Sequence, residues 1–410
     1  LKIAVLMYQT SLTKGQELVA LRMTKELRKQ GKDAFLLSTL FHDGKPVPWY
    51  EQVLKSVRGY VIKEEFGVPV IRMDGYVSSW PPRRIMLRDA QSIFRHIVED
   101  LGVECFIAHS TLWNGPEELA RFKLWNDMMV REGLKDRGVI ACFMPHYQPP
   151  SPIHYAPIER LYREAWNVTV FPTIFKTANL ILCTTPIEID QMVELGADAR
   201  KCHLYPGGID EEAFKNLGGV DVYSRFNIPR DVKIIAYIGT IEKRKNPAAI
   251  VKVATNLRNR KDIIFVAAGS PSDQADILIK ATKTLPNFKY IGEISDDEKI
   301  SLIKASYANI IMSKMEALGL TQLEFMYAGK PVITSAIGGQ RWLIRNGIDG
   351  IHVNGPEDIK GATEAVLKLV NDEDLASEMG KNAAKRASEF TLSKITQNLI
   401  ERLEGMSANM

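Results

Sequence analysis

Short apolar runs alternate with amphipathic stretches from one end of the chain to the other. The first run, over 3–7, is continuous rather than alternating, the pattern of a strand covered on both faces of a parallel sheet. A helical period follows over 17–30, and a second strand run at 34–38. Further strand runs fall at 70–73, 105–109, 139–144 and 180–185. The segment Tyr205-Pro206-Gly207-Gly208 breaks the pattern near mid-chain and reads as a hinge. The alternation then restarts, with strand runs at 234–239, 263–269, 288–291, 309–313, 332–335 and 351–353. Helical patterns at 296–306, 320–328 and 357–370 separate them, and three more close the chain, the last over 392–403. Strands alternating with helices predict βαβ units, hence parallel sheets with helices on both faces. Such sheets bind ligands beyond the carboxyl ends of their strands.

Length turns this pattern into two domains, because 410 residues exceed what one hydrophobic core ordinarily supports. The pattern places them at about 1–210 and 211–388. Hydrophobic residues make up 45% and charged residues 25%, as in ordinary soluble globular chains. The net charge of +4 is not concentrated in either half, so no nucleic-acid partner is expected. Cys105, Cys142, Cys183 and Cys202 lack metal or redox spacing and read as free thiols in a reducing compartment. No apolar run is long enough to span a membrane and no signal-peptide pattern opens the chain, so a cytoplasmic protein is expected.

The chemistry concentrates between Ser313 and Glu324. A strand ends at Ser313, a short loop carries Glu316, and a helix begins near Gly319, with Glu324 about one turn in. Free amides at a helix start bind anions, and a glycine there lets a ligand approach the backbone. Two carboxylates beside an anion site make sense if each meets hydroxyl donors, as a nucleotide sugar supplies. A second piece runs from Gly239 through Thr240, Lys243, Arg244 and Lys245 to Pro247, again between a strand and a helix. Fixed cations there suit the neutralisation of a departing diphosphate without a metal. A third, Lys14-Gly15-Gln16-Glu17, follows the first strand.

With these residues in place the chain resembles the retaining glycosyltransferase family 4, of the GT-B fold. The family's E-x7-E pair is matched by Glu316 and Glu324. Supporting segments are Ala328 to Ile333, Gly338-Gly339, Asn346 to Gly350, Ala178 to Thr184 and Pro206 to Asp210. The resemblance implies two facing Rossmann-like doubly wound domains with a cleft between them. The first domain would bind the acceptor and the second the nucleotide sugar, while the terminal helix of 389–410 would cross back onto the first. It implies that Glu316 binds hydroxyls of the donor sugar and Glu324 the ribose. Backbone amides around Leu318, Gly319 and Leu320 would contact the diphosphate or sugar. Lys245, with Thr240 and Arg244 beside it, would serve the diphosphate, and Gly15 would let the first loop approach the phosphates. His109 matches the family's histidine near the transferred sugar, and His146 is a candidate acceptor contact. No cofactor and no metal are expected beyond the nucleotide-sugar co-substrate.

Some positions depart from the family pattern. Thr240 stands where Arg is frequent, with Arg244 as the compensating cation; Ala317 and Leu318 replace Gly and Phe, and Trp342 replaces Glu. The run Leu320 to Leu323 is similar to glycogen and starch synthases, but their Lys-x-Gly-Gly signature is missing from the first half. Asp372-Glu373-Asp374 opens a helix pattern and reads as a cap rather than a metal motif. His42, His96, His154, His203 and His352 have no partner at ligand spacing and read as structural. Arg83, Arg84, Arg88 and Arg95, interspersed with Trp80 and other apolar residues, suggest a basic amphipathic segment able to touch an anionic membrane from the cytoplasmic side.

The expected function is therefore transfer of a sugar, with retention, from a UDP-, GDP- or ADP-linked donor to a hydroxyl of a sugar, sugar phosphate or lipid-linked glycan. The alternatives are a GT-B sugar phosphorylase, a sugar-nucleotide epimerase, or a non-catalytic nucleotide-sugar-binding regulator. A dehydrogenase is disfavoured because neither half opens on Gly-x-Gly-x-x-Gly.

Overall fold

The computed structural model describes residues 1–12, 15–79, 84–111, 113–151 and 155–408. Lys14, Trp80, Arg83 and His154, named above, lie outside the described residues. The chain forms two compact units, one of residues 1–207 with 392–410 and one of residues 208–391.

The first unit carries an eight-stranded sheet. Its strands are β1 (Lys2–Met7), β2 (Asp33–Thr39), β3 (Tyr60–Glu65), β4 (Val68–Met73), β5 (Cys105–His109), β6 (Ile140–Met144), β7 (Leu180–Cys183) and β8 (Cys202–Leu204). They lie in the order β8-β7-β6-β5-β1-β2-β4-β3, all parallel except the edge pair β4–β3. Helix α1 (Gly15–Lys29) follows β1, and helix α2 (Pro157–Thr169) lies between β6 and β7. The central strands are near-continuous apolar runs because both faces are covered; β5 and β6 are buried throughout. The thiols of Cys105, Cys142 and Cys183 are buried within the sheet.

The second unit has six parallel strands: β9 (Lys233–Ile238), β10 (Ile263–Ala268), β11 (Phe288–Tyr290), β12 (Ala308–Ile311), β13 (Val332–Thr334) and β14 (Gly350–His352). Their order is β11-β10-β9-β12-β13-β14, the doubly wound arrangement whose direction of winding reverses between β9 and β12. Along β9 the side chains alternate between two cores: Ile235 and Tyr237 on one face, Ile234, Ala236 and Ile238 on the other. The helices that bear on the site are α3 (Pro247–Asn256), α4 (Asp296–Ala305), α5 (Leu320–Tyr327) and α6 (Glu373–Ala387).

The last helix, α7 (Leu392–Ser407), returns to the first unit and packs on α1. Gln30 donates to the Ser393 carbonyl at 2.9 Å, Lys32 pairs with Glu404, and the Tyr205 and Thr396 hydroxyls lie 3.1 Å apart.

One expectation needs correction. The segment from Arg84 to Arg95 is not one amphipathic stretch: Ile85–Leu87 is a short strand paired with Gly75–Val77, and a helix begins only at Ala90. Arg84 is buried, so it presents no charge to a surface. Residues 60–65, which the pattern of apolar runs leaves unassigned, form the antiparallel edge strand β3. Asp372 caps α6, its side chain accepting the Leu375 amide at 2.9 Å. No helix among the described residues is long and apolar enough to cross a membrane.

Candidate functional site

In the second unit, the point where the strand order reverses gathers most of the donor-site candidates. The loop after β9 runs through Thr240 and Arg244 to Lys245; the loop after β12 runs through Ser313 and Glu316 to Gly319. The Lys314 amide donates to the Arg244 carbonyl at 2.9 Å, tying the two loops together. Across that tie the Lys245 ammonium meets the Glu316 carboxylate at 2.5 Å, with side chains 17% and 9% exposed. The Ser313 hydroxyl lies 3.4 Å from the same carboxylate oxygen. Sequence distance hides this pair, but the adjacency of β9 and β12 imposes it.

The backbone that holds the pair is crowded. Gly338 (φ +58°) sits so close that a Cβ would lie 2.0 Å from the Glu316 carbonyl oxygen. Gly339 donates to the Ala317 carbonyl at 2.8 Å, pinning the loop from the other side. Gly319 has φ +92°, and a Cβ there would lie 1.6 Å from Gln322 Oε1. Helix α5 can therefore begin at this point only on a glycine. Asn246 adopts φ +53° before α3 and donates to the Pro356 carbonyl at 2.8 Å, while Pro247 occupies the first turn, where its missing N–H costs nothing.

The remaining donor-site candidates divide clearly. Glu324 is buried and its carboxylate meets Lys299 of α4 at 2.5 Å. Thr240 is exposed, its carbonyl accepting the Tyr237 hydroxyl at 2.9 Å. Arg244 pairs with Glu242 at 2.5 Å. Leu318 is buried in the core, so only its backbone is available to a ligand, and Leu320 opens the helix. Trp342 packs under the Arg386 guanidinium at 5.1 Å and against the tilted Phe390 ring at 5.3 Å, which gives it a packing role. Two residues escaped the sequence reading. Lys299 carries no signal, because a lysine on an amphipathic helix looks like any solvated one. Gln322 is fully buried with neither amide atom partnered among the described residues, a cost a folded chain rarely carries without use.

In the first unit the reversal lies between β1 and β5. His109 ends β5 and His146 follows the adjacent β6; His109 Nδ1 and His146 Nε2 are 3.1 Å apart, so one ring donates to the other. Burial drives the His109 pKa well below the usual histidine range, helped by its neighbour, and lowers His146 to about 4. Both rings are therefore neutral near pH 7, and His109 Nε2 has no partner among the described residues. The Trp113 indole donates to the His109 carbonyl at 2.8 Å and fixes the strand end. Gly15 opens α1, exposed and with open space at its Cβ position. Two turns of chemistry meet near it: the Tyr8 hydroxyl and the Gln9 amide both donate to Glu17, at 2.7 and 2.8 Å.

Comparison with known proteins places this geometry in a class. The family model described as Glycosyl transferases group 1 matches residues 224–386, the core of the second unit. Sucrose-phosphate synthase from Thermosynechococcus elongatus superposes over 100% of both chains with a TM-score of 0.71 at 17% identity. Anabaena HepE, solved in complex with UDP-glucose, superposes over 98% of this chain and 99% of its own, with a TM-score of 0.69 at 16% identity. The fold is GT-B, built from two Rossmann-like α/β domains, and the family match supports the group 1 glycosyl transferases.

Among sequences, a Catenulispora acidiphila protein named D-inositol 3-phosphate glycosyltransferase 1 is 23% identical over 240 residues, covering 55% of this chain and 57% of its own. The chain spans about half the length of the curated relatives it matches.

Proposed function

We propose that this protein is a retaining glycosyltransferase of family 4, moving a sugar from a nucleoside-diphosphate donor to an acceptor hydroxyl without a metal. The observation that carries the reading is the Lys245–Glu316 pair at the strand-order reversal of the second unit, beside the start of α5. A cation and a carboxylate fixed next to free helix amides suit a ligand with a diphosphate at one end and hydroxyls at the other.

In this reading Lys245 and the amides of Leu318, Gly319 and Leu320 stabilise the departing diphosphate, with Thr240 and Arg244 on the same loop. Glu316 accepts hydrogen bonds from donor-sugar hydroxyls and Glu324 from the ribose. The anomeric carbon passes through an oxocarbenium-like transition state. A leaving phosphate oxygen takes the acceptor proton as the new glycosidic bond forms on the same face, so no protein nucleophile is needed. Neutral His109, with Nε2 unpartnered, is suited to hydrogen-bond a sugar hydroxyl in the first unit, where Gly15 leaves the first loop open to phosphate. His146 acts by orienting His109 through their shared hydrogen bond. Anabaena HepE, solved with UDP-glucose, and the Catenulispora protein named a glycosyltransferase support a sugar donor of this class.

The test is a thermal-shift and product-release panel of UDP-, GDP- and ADP-sugars, run with EDTA and then with magnesium. Stabilisation by one donor, with slow diphosphate release surviving EDTA, is the expected result. Phosphate-dependent release of sugar phosphate would point to a phosphorylase, and an epimerised nucleotide sugar to an epimerase. Absence of stabilisation by every donor would end the reading.

A further inference from the structure

The first unit contains a pocket of about 280 Å³ at the carboxyl ends of β1, β5 and β6, lined by Tyr8, Thr111, Tyr147 and, from α2, Tyr162, Arg163 and Trp166. Arg84 completes it. It adjoins the histidine pair, since Thr111 follows His109 by two residues and Tyr147 directly follows His146.

Its two guanidinium groups are poorly compensated. Arg84 is 8% exposed; among the described residues its one close acceptor is the Thr111 carbonyl at 3.3 Å, and the nearest carboxylate, Glu117, is 4.0 Å away. That carboxylate is already engaged by the Trp166 indole N–H. Arg163 has Glu159 at 3.5 Å and the Tyr155 ring at 4.1 Å. Both carboxylates lie beyond the roughly 2.7–2.9 Å of a charge-assisted hydrogen bond. The Nε–H of Arg84 and that of Arg163 are each buried without a partner among the described residues. Burial lowers the Arg84 pKa to about 10, and the charge of Arg163 adds to the effect. A buried guanidinium beside a half-buried one, each with an unused buried donor, is expensive unless an anion completes them. Tyr8, Tyr147, Tyr162 and Trp166 offer flat faces to the C–H surfaces of a sugar ring, Gln148 and Asn167 add polar lining, and the Tyr147 hydroxyl accepts from Asn167 at 2.9 Å.

We propose that this pocket binds an anionic sugar acceptor, its phosphate or carboxylate held between Arg84 and Arg163 and its ring against Tyr147, Tyr162 and Trp166. The assignment rests on the glycosyltransferase reading for the word acceptor, but the anion site stands on the pocket alone.

The experiment is calorimetry on the full chain with glucose 6-phosphate, fructose 6-phosphate, myo-inositol 1-phosphate and glucuronate, each beside its neutral counterpart, for wild type and Arg163→Gln. Arg84→Lys serves as a second variant that keeps the buried charge. At least one anion is expected to bind while its neutral counterpart does not, and Arg163→Gln should weaken it about 10- to 100-fold, the value of one charged hydrogen-bond set. Phosphate sugars binding without glucuronate identify the phosphate class; the reverse identifies the carboxylate class. Equal binding of neutral and charged sugars, no binding by any anion, or unchanged affinity in both variants overturns the proposal. UDP binding, followed in parallel, belongs to the other unit and should not change. If anions bind here while no nucleotide sugar does, the pocket survives and the transferase reading falls.

Discussion

Removing the Lys245 ammonium separates the stability role of the loop pair from its catalytic one. Among the described residues Lys245 is the one cation on the Glu316 carboxylate, which otherwise has only the Ser313 hydroxyl at 3.4 Å. Lys245→Ala therefore strands a carboxylate that is 9% exposed. Loss of one charged hydrogen bond of this kind costs about 2 kcal/mol. For a domain of this size that is a fall in Tm of about 4–8 °C. Turnover should fall further. Withdrawing one fixed donor from a charge that develops in the transition state costs about 2.7–4 kcal/mol, or about 100- to 1,000-fold in kcat. Glu316→Gln removes the carboxylate that made the lysine necessary, so it should lower Tm less while still losing turnover. Diphosphate release at saturating donor, with melting curves on the same samples, gives both quantities for each single variant and the double. The double variant should be little worse than Lys245→Ala, because the two side chains act on one bound donor. A Lys245→Ala protein that melts lower but keeps kcat within about threefold of wild type would refute the argument: a loss that small is less than 1 kcal/mol and leaves the lysine a merely structural role.

Other outcomes follow from the same geometry. His109 and His146 are buried neutral with lowered pKa values, so the unfolded chain takes up protons that the folded one refuses as pH falls below about 6.5. Stability should be complete above that pH and decline towards pH 4 by up to about 2.7 kcal/mol per unit, two protons' worth, with His146→Gln halving the slope in urea titrations. Gly338→Ala forces a Cβ against the Glu316 carbonyl at a left-handed φ, and should cost about 2 kcal/mol or more together with most of the turnover, read by melting and by diphosphate release. Asp372→Ala should cost about 1 kcal/mol through loss of the α6 cap, with donor kinetics unchanged in EDTA or magnesium; altered metal response would contradict the cap assignment.

Much of this arrangement was legible in the chain before any coordinates. The strands nearest the reversal points are apolar runs buried on both faces, so β1, β5, β9 and β12 stand out by period alone. The turn positions also announce themselves, since Gly319 and Pro247 are residues whose backbone preferences dictate where a helix starts. What stayed hidden depends on packing between distant segments. Lys299 reaches Glu324 only because α4 lies alongside α5, and Arg84 leaves the surface only because the chain around it breaks into a strand and a helix. Strand β3 escaped because it is an edge: Lys63, Glu64 and Glu65 give it the charged texture of a loop. The anion pocket escaped for a related reason, its arginines lying far apart in the chain and each unremarkable alone.

The return of α7 to the first unit has a consequence for how the protein is made. Residues 208–391 are an insertion within the first unit, and their two ends are joined: the Ile209 amide donates to the Phe390 carbonyl at 2.8 Å, and Ile209 bridges Thr391. The second unit can thus close on itself while the ribosome still holds the remaining residues. The first unit, though synthesised earlier, must wait for α7, leaving α1 without its cover until that helix emerges. Vectorial synthesis therefore inverts the usual order, so that the later-made unit matures first. A stop codon just before Leu392 should spare the second unit and leave the first exposed to proteolysis along α1.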